Sequence, residues 1–594
     1  MDFNTFTTIG AVVVIVIVAV RFFLQKDRLS KGKMEKAGHG EFGTARWAEK
    51  NEYDKTFKKV EYRPDLWRQG TNLPKYEGLI VHCEQKFDFG ESIIGRLANK
   101  AIPQSINPLY AYVDDSDVHT LMIGAAGVGK TTRFLYPNIE YACAAGISFF
   151  TTDTKGDLYR NMGSIAEKYY GYKVKVVDLR NPLASSHYNM LYQLNHYMYM
   201  YKKTKKISWL GKAEKSAKII SKAIITSGMK ADESMGSNQY FYDSAEGIMT
   251  AILMILAEYG KKDEKHIVSC FRLIQDMMAP SNEEGKLQLQ VCIDLLPENS
   301  RARNFATTAL ESAPETMQSI ISTAMSKLLS FLDAELEQIL CFKNEIDVEK
   351  FCTEKTAVFF NLPEEDRTKY FIASLFIQQF YQEMLTVADK MGGKLPKRVM
   401  YYCDEIGTMS KIEGLEEMFT AGRSRKISVV AIIQSTAQLE RRYGKESAKI
   451  IKDNCQNTLF GGFAPNSEDA EQLSKSLGTT TVKNVSVSYN EKEGMLSRNM
   501  AASRQESMTS RPLMTADELK NMKPGNFILQ KTGCNPFKTK LKMFFDMGIK
   551  FEDELYIPTR EEVEPKYADK TELIKSIVIH NPELIRQAAE ELEG

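Results

Sequence analysis

From residue 119 onward, short strand-like segments recur: the apolar runs "HTLMI" (119–123) and "ISFFTT" (147–152), and the alternating "KVKVVD" (173–178). Runs of this length that do not alternate read as strands buried on both faces. Between the first two lies "TRFLYPNIEYACAA" (132–145), which reads as a helix bent at Pro137. This βαβ rhythm predicts a parallel sheet with helices on both faces. From about 190 to 345 the strand pattern stops. "SAEGIMTAILMILAEYG" (244–260) has helical periodicity and a Gly stop, and 304–332 reads as two helices split at Pro314. Strand runs return at 356–362, 398–403, 428–433, 457–462, 526–530 and 540–545. The expected class is therefore α/β, with the sheet split in sequence by an all-α block. Residues 40–115 are mixed and Gly-interrupted. Residues 480–512, rich in Ser, Asn and Lys, read as a mobile surface segment. No internal repeat is found.

The N-terminus has a different pattern. Ile9 to Val20 is continuously apolar and "RFFL" extends the run to Leu24, somewhat short of the roughly 20 residues of a bilayer span. A signal peptide is the weaker reading, because no basic segment precedes the run and no small-residue cleavage site follows it. Lys26, Arg28, Lys31, Lys33 and Lys36 follow the run, whereas only Asp2 precedes it. The positive-inside rule then expects a single-pass anchor in the cell (inner) membrane, with the bulk of the chain cytoplasmic.

Composition narrows this little further. The 594 residues are 43% hydrophobic and 26% charged with net charge +1, an ordinary globular balance. Nine cysteines without a CxxC pair support neither a disulfide framework nor a zinc site. The last 44 residues hold twelve acidic against five basic side chains. That acidic tail reads either as a binder of basic protein segments or as a solvated end.

The candidate chemistry begins at "GAAGVGKTT". Gly124, Gly127 and Gly129 with Lys130, Thr131 and Thr132 match the phosphate loop, between a strand and a helix as the motif requires. The glycines free backbone N–H groups to wrap phosphates at a helix N-terminus. Lys130 is expected to reach the β- and γ-phosphates of ATP, and the Thr131 hydroxyl to bind Mg²⁺. The bland alternative is a Gly-rich turn with a chance Lys-Thr. Asp404 and Glu405 end the apolar run "RVMYYC". Asp404 is expected to hold Mg²⁺ through water and Glu405 to polarise the attacking water; alone, such a pair could merely cap a helix. Ligands sit at the carboxyl ends of parallel strands, so Gln434, at the end of "SVVAII", is expected near the γ-phosphate. Arg423 precedes that strand and so belongs to the opposite edge. There it reads either as a surface ion pair with Glu416 or Glu417, or as an arginine finger for a neighbouring copy. Spacing alone favours the ion pair.

Several ordered segments resemble the type IV coupling proteins, the TraG/VirD-type ATPases of conjugation. They are "GHGEFGTARWA" (38–48), "GAAGVGKTTRFLYPNI", "TTDTKGDLY" (151–159), "HYNML" (187–191), "DEIGTMSKIEGLEEMFTAGRSRKISVVAIIQSTAQL" and "PLMTADELKNM" (512–522). The resemblance implies a RecA-like P-loop domain, an inserted all-α domain, an N-terminal transmembrane helix and a homo-hexameric ring in which Arg423 acts in trans. It also implies as partners the relaxase with its single-stranded DNA and the type IV secretion channel. On this reading the chain divides at 1–35 (anchor and basic flank), 36–190 and 346–545 (the two segments of the nucleotide-binding domain), 191–345 (all-α) and 546–594 (acidic tail). Lys202, Lys203, Lys205, Lys206, Lys212, Lys215, Lys218 and Lys222 would hold phosphates without reading sequence, or simply form a solvated face. The family usually shows two membrane spans, and only one is found here. The alternatives are an FtsK-type DNA-partitioning motor, disfavoured by the acidic end, and a non-motor receptor that docks substrate proteins.

Overall fold

The computed structural model describes residues 40–89, 106–226, 238–281, 286–489, 502–551 and 559–586, apart from 582, with isolated positions between 92 and 102. The apolar run of 9–24, and with it the expected anchor, lies outside the described residues. The chain divides into two compact units, Met1–Trp47 with Pro465–Asn521, and Ala48–Ala464 with Met522–Gly594.

The larger unit is built on a nine-stranded sheet. Its strands are β4 (Thr120–Ile123), β5 (Ser148–Asp153), β6 (Lys173–Asp178), β7 (Thr356–Asn361), β8 (Val399–Cys403), β9 (Ile427–Ile433), β10 (Asn457–Phe460), β13 (Asn526–Lys531) and β14 (Phe537–Lys540). They lie in the order β14-β13-β10-β4-β9-β8-β5-β7-β6. β10 through β6 run parallel, whereas β13 and β14 are antiparallel. Both faces are covered, which explains the continuous apolar runs. Leu121 and Ile123 point into one core and Met122 into the other; Val429, Ala431 and Ile433 likewise oppose Val430 and Ile432.

The first core runs unbroken from the sheet into helices Gln239–Tyr259 and Tyr370–Lys390. Between β6 and β7 the described residues are helical, with the lone bridge Pro280–Leu287 as their one β-pairing. Pro314 does separate a pair of helices, Arg301–Leu310 and Pro314–Leu328. Among the described residues, only Gln239–Tyr259 is long and apolar enough to cross a membrane. Its buried stretch from Ser244 to Ala257 makes it the spine of the helical region.

The second core packs helix Tyr136–Ala145 beneath a small antiparallel sheet of β1 (Lys58–Glu61), β2 (Leu79–Gln85) and β3 (Leu109–Asp114), in order β1-β3-β2. The sequence between 40 and 115 showed no such pattern. Asn138 ties the layers by accepting from the Ile80 N–H at 2.7 Å. Below it, Glu140 is fully buried against Arg68, whose Nε and Nη2 donate at 2.9 and 2.7 Å; Tyr170 Oη donates to the same carboxylate.

Three expectations change in this unit. The run 540–545 is not a strand. β14 ends at Lys540, opposite the first residue of β13, and Phe544–Met547 is a 3₁₀ turn. Phe537 and Thr539 face inward there, a two-residue alternation too short to stand out beside the longer apolar run. The bend at Pro137 is replaced by a π-helical turn, Lys130–Leu135, before the α-helix begins. The acidic C-terminal segment is not a free tail over its described residues. Arg560 pairs with Glu345 at 2.9 Å, and helix Lys570–His580 buries Leu573 and Ile577 in the first core.

The smaller unit holds a hairpin, β11 (Thr479–Tyr489) and β12 (Ala502–Pro512), where the composition suggested a mobile segment. β-branched residues at 479–482 carry the strand signal that the Ser/Asn content masks. Thr44 bridges to Thr480, and the Ala45 N–H donates to the Thr479 carbonyl at 2.9 Å.

Candidate active site

β4, β9 and β8 are neighbours in the sheet and run parallel, so their carboxyl ends lie side by side. β4 delivers the phosphate loop, which is laced to its neighbours. The Gly124 N–H donates to the Ile433 carbonyl at 3.1 Å, and the Ala125 N–H to the Gly462 carbonyl at 2.9 Å. Gly127 and Gly129 have φ of +81° and +92°, a region L-residues avoid. A Cβ at Gly129 would also lie 2.8 Å from Arg133 Cδ, whereas one at Gly127 would meet open space. Lys130 folds back and donates Nζ to the carbonyls of Gly124 (2.9 Å) and Ala125 (3.4 Å). Burial lowers its pKa, against the pull of Asp404 and Glu405. Thr131 is half-buried, and the Thr132 hydroxyl contacts Met543 Sδ at 3.5 Å.

β8 delivers the acidic pair. Asp404 is 9% exposed, and its Oδ1 is buried without a partner. Burial first, and then the charge of Glu405, pushes its carboxyl up to about 7, while Lys130 opposes the shift. Glu405 sits at φ +54°, strained for a side chain with a Cβ. Its Oε1 accepts from Gln434 Nε2 at 3.0 Å, so the Gln at the end of β9 grips the carboxylate beside it.

Lys130, Asp404, Glu405 and Gln434 are thus brought together, with the glycines, Thr131 and Thr132 alongside. Arg423 is not among them. It is exposed in the 3₁₀ turn Arg423–Arg425, at the amino end of β9. The seven residues of β9, roughly 20 Å of strand, separate it from Gln434. Among the described residues it forms no ion pair with Glu416 or Glu417. Arg425 instead donates to the Ala421 carbonyl and lies 4.0 Å from Asp389.

One neighbour escaped the sequence reading. Asp153 ends β5, next to β8, and its carboxylate accepts from the N–H groups of Lys155, Gly156, Leu158 and Tyr159. It caps helix Asp157–Tyr170 while adding negative charge near Asp404. The Thr152 hydroxyl donates to the Asp404 carbonyl at 2.9 Å. An acid followed by Gly at the start of a helix was the available signal.

Residues 78–576 match the family model described as Type IV secretory system Conjugative DNA transfer. The chain belongs to that family. The match encloses every site residue named above. Among curated members, the type IV secretion system-coupling protein VirD4 of Bartonella quintana (strain Toulouse) is 24% identical over 387 residues, 63% of this chain and 55% of that protein. A probable conjugal transfer protein TraG of Sinorhizobium fredii (strain NBRC 101917 / NGR234) is 21% identical over 309 residues, 52% of this chain and 46% of that one. The chain thus spans about half the length of the curated relatives it matches. Among solved structures, unbound TrwBdeltaN70, a bacterial conjugative coupling protein, superposes with TM-score 0.52 at 14% identity, covering 89% of this chain and all of that one. TrwB in complex with ADP and Mg²⁺ gives 0.51 at 14% identity, covering 86% of this chain and 98% of that one. The likeness to these structures is one of fold, which in this chain is a mixed sheet with the phosphate loop at the carboxyl end of the interior strand β4.

Proposed function

We propose that this coupling protein is a membrane-anchored ATPase that brings a relaxase–DNA substrate to a type IV secretion channel and drives single-stranded DNA through it. The observation that carries the reading is the placement of the phosphate loop, Gln434 and the Asp404–Glu405 pair on the three adjacent strand ends of β4, β9 and β8. The family match favours conjugation over chromosome partitioning.

ATP and Mg²⁺ are the cofactors this arrangement fits. The unpartnered Asp404 Oδ1, the open space at Gly127 and a Lys130 held only by loop carbonyls all favour an anionic, metal-bearing ligand there. A likeness to TrwB, solved with a non-hydrolysable ATP analogue and with ADP and Mg²⁺, supports the same assignment. Bound Mg²⁺–ATP supplies the phosphoanhydride bond to be cleaved. Lys130 and the loop N–H groups would bind its phosphates, and Thr131 and Asp404 would hold the metal. Glu405 takes the proton of the attacking water, and Gln434 fixes its carboxylate.

Arg423, exposed and a strand's length from its own loop, is proposed to reach the nucleotide of a neighbour in a homo-hexameric ring. Such a finger contributes about 10³–10⁵ in rate. The eight lysines from 202 to 222 are all exposed and are proposed to meet DNA phosphates.

The test is ATP hydrolysis by the full chain across protein concentrations, with and without single-stranded DNA. Strong DNA stimulation that rises with concentration is expected. Lys130→Ala and Arg423→Ala should each be inactive, and mixing them should restore some of the activity. Slow hydrolysis indifferent to DNA and to concentration would instead favour a docking receptor.

A further inference from the structure

The helical region holds a cavity of 780 Å³ that shares no residue with the site above. One wall is the helix Tyr192–Thr204, whose Tyr192, His196 and Tyr199 recur at i, i+4 and i+7 and so share a face. The Tyr192 and His196 rings stack, 6.4 Å apart and 20° from parallel, and Tyr199 stands exposed beyond them.

The other walls carry cations. Lys262 and Lys265 come from the turn before helix Ile267–Met277. Lys343 follows helix Ala334–Leu340, and Lys566 lies on the segment leading to helix Lys570–His580. Among the described residues none of the four is paired with a carboxylate, and Lys265 donates only to the Ala257 carbonyl. Asp263 and Glu564 line the cavity too, so its fixed charge is positive by two. Burial first, and then the charge of Lys202, lowers Lys265 to about 8 against the opposing pull of Glu258.

Flat aromatic faces opposite ammonium groups suit a base and its phosphates. The volume falls within the roughly 300–1,000 Å³ of small-molecule sites. A single strand brings one negative charge per base. Four lysines around one cavity suit a ligand that carries several charges on one aromatic unit.

We propose that this cavity is a second nucleotide site. It takes a nucleoside di- or triphosphate, with the base on the Tyr192–His196–Tyr199 face and the phosphates on Lys262, Lys265, Lys343 and Lys566. No glycine-rich loop lines the cavity, and binding alone is assigned to it. The proposal does not depend on the motor reading of the P-loop.

The experiment is equilibrium dialysis of ADP and ATP against the full chain carrying Lys130→Ala, which disables the P-loop. One nucleotide per chain is expected. Adding Lys343→Glu and Lys566→Glu should weaken it by about tenfold or more, the loss of roughly 1.4 kcal/mol. Tyr199→Ala, at an exposed ring whose removal leaves the core intact, should weaken it independently, and a circular-dichroism melt checks each variant's fold. No binding by the Lys130→Ala chain up to millimolar nucleotide would overturn the proposal. So would binding that neither the charge reversals nor Tyr199→Ala alters, or binding of an oligothymidylate alone.

Discussion

Asp404→Asn should make the nucleotide-free protein progressively more stable than its parent as the pH rises from about 5 to about 7.5. In the fold the Asp404 carboxyl titrates near 7, against an ordinary 3.8, because it is buried beside Glu405 with one oxygen unpartnered. Between those values the folded chain keeps the proton that the unfolded chain has released. The folded state therefore binds more protons, and stability falls as pH rises through this window. The full shift of about three pKa units corresponds to roughly 4 kcal/mol. Most of it, about 2–3 kcal/mol, is lost between pH 5 and 7.5. An amide in the same place has no proton to lose. Its own burial costs roughly 1–3 kcal/mol, but equally at every pH. The quantity to measure is thus the difference between parent and variant melting midpoints, followed across pH with EDTA present. Groups that do not interact with Asp404 cancel in that difference, which leaves Asp404 and the charges coupled to it, Glu405, Lys130 and Asp153. A gap that stays constant from pH 5 to 7.5 would refute the reasoning, since it would mean that Asp404 is ionised throughout. The same variant should lose ATP hydrolysis if Asp404 serves the metal.

Gly129→Ala forces a Cβ into a left-handed backbone and to 2.8 Å from Arg133 Cδ. The strain, about 1–3 kcal/mol, falls on the loop, so binding of a fluorescent ATP analogue should vanish while the melting midpoint moves little. Gln434→Ala frees the Glu405 carboxylate from its 3.0 Å hydrogen bond; steady-state hydrolysis should fall about 10²-fold with nucleotide affinity unchanged. Arg68→Ala leaves Glu140 buried with Tyr170 as its remaining donor, and should cost about 3–5 kcal/mol in denaturant unfolding, little affected by salt.

The P-loop, the acidic pair and Gln434 were legible because each is a local signal: a glycine pattern or a polar residue closing an apolar run. The reading failed where the deciding contacts are distant. The C-terminal helix is amphipathic only weakly and sits in an acidic stretch, yet Leu573 and Ile577 complete a core made more than two hundred residues upstream. β14 is four residues long and exists because β13 offers it a ladder, so no pattern of its own announces it. Asp153 stands in a motif with a glycine three residues on, a weak local signal, and its role became plain only once four backbone donors converged on it as the chain turned into a helix.

By itself the sequence determined the α/β class, the strands that bear the site and the side chains at their ends, because hydrophobic period and glycine chemistry act within a few residues. Tertiary structure alone decided which strand ends are neighbours. β4, β9 and β8 begin at residues 120, 427 and 399, and only sheet order sets them side by side. That Arg423 lies away from its own loop was, by contrast, already legible, because in a parallel sheet the two ends of one strand cannot meet at one site.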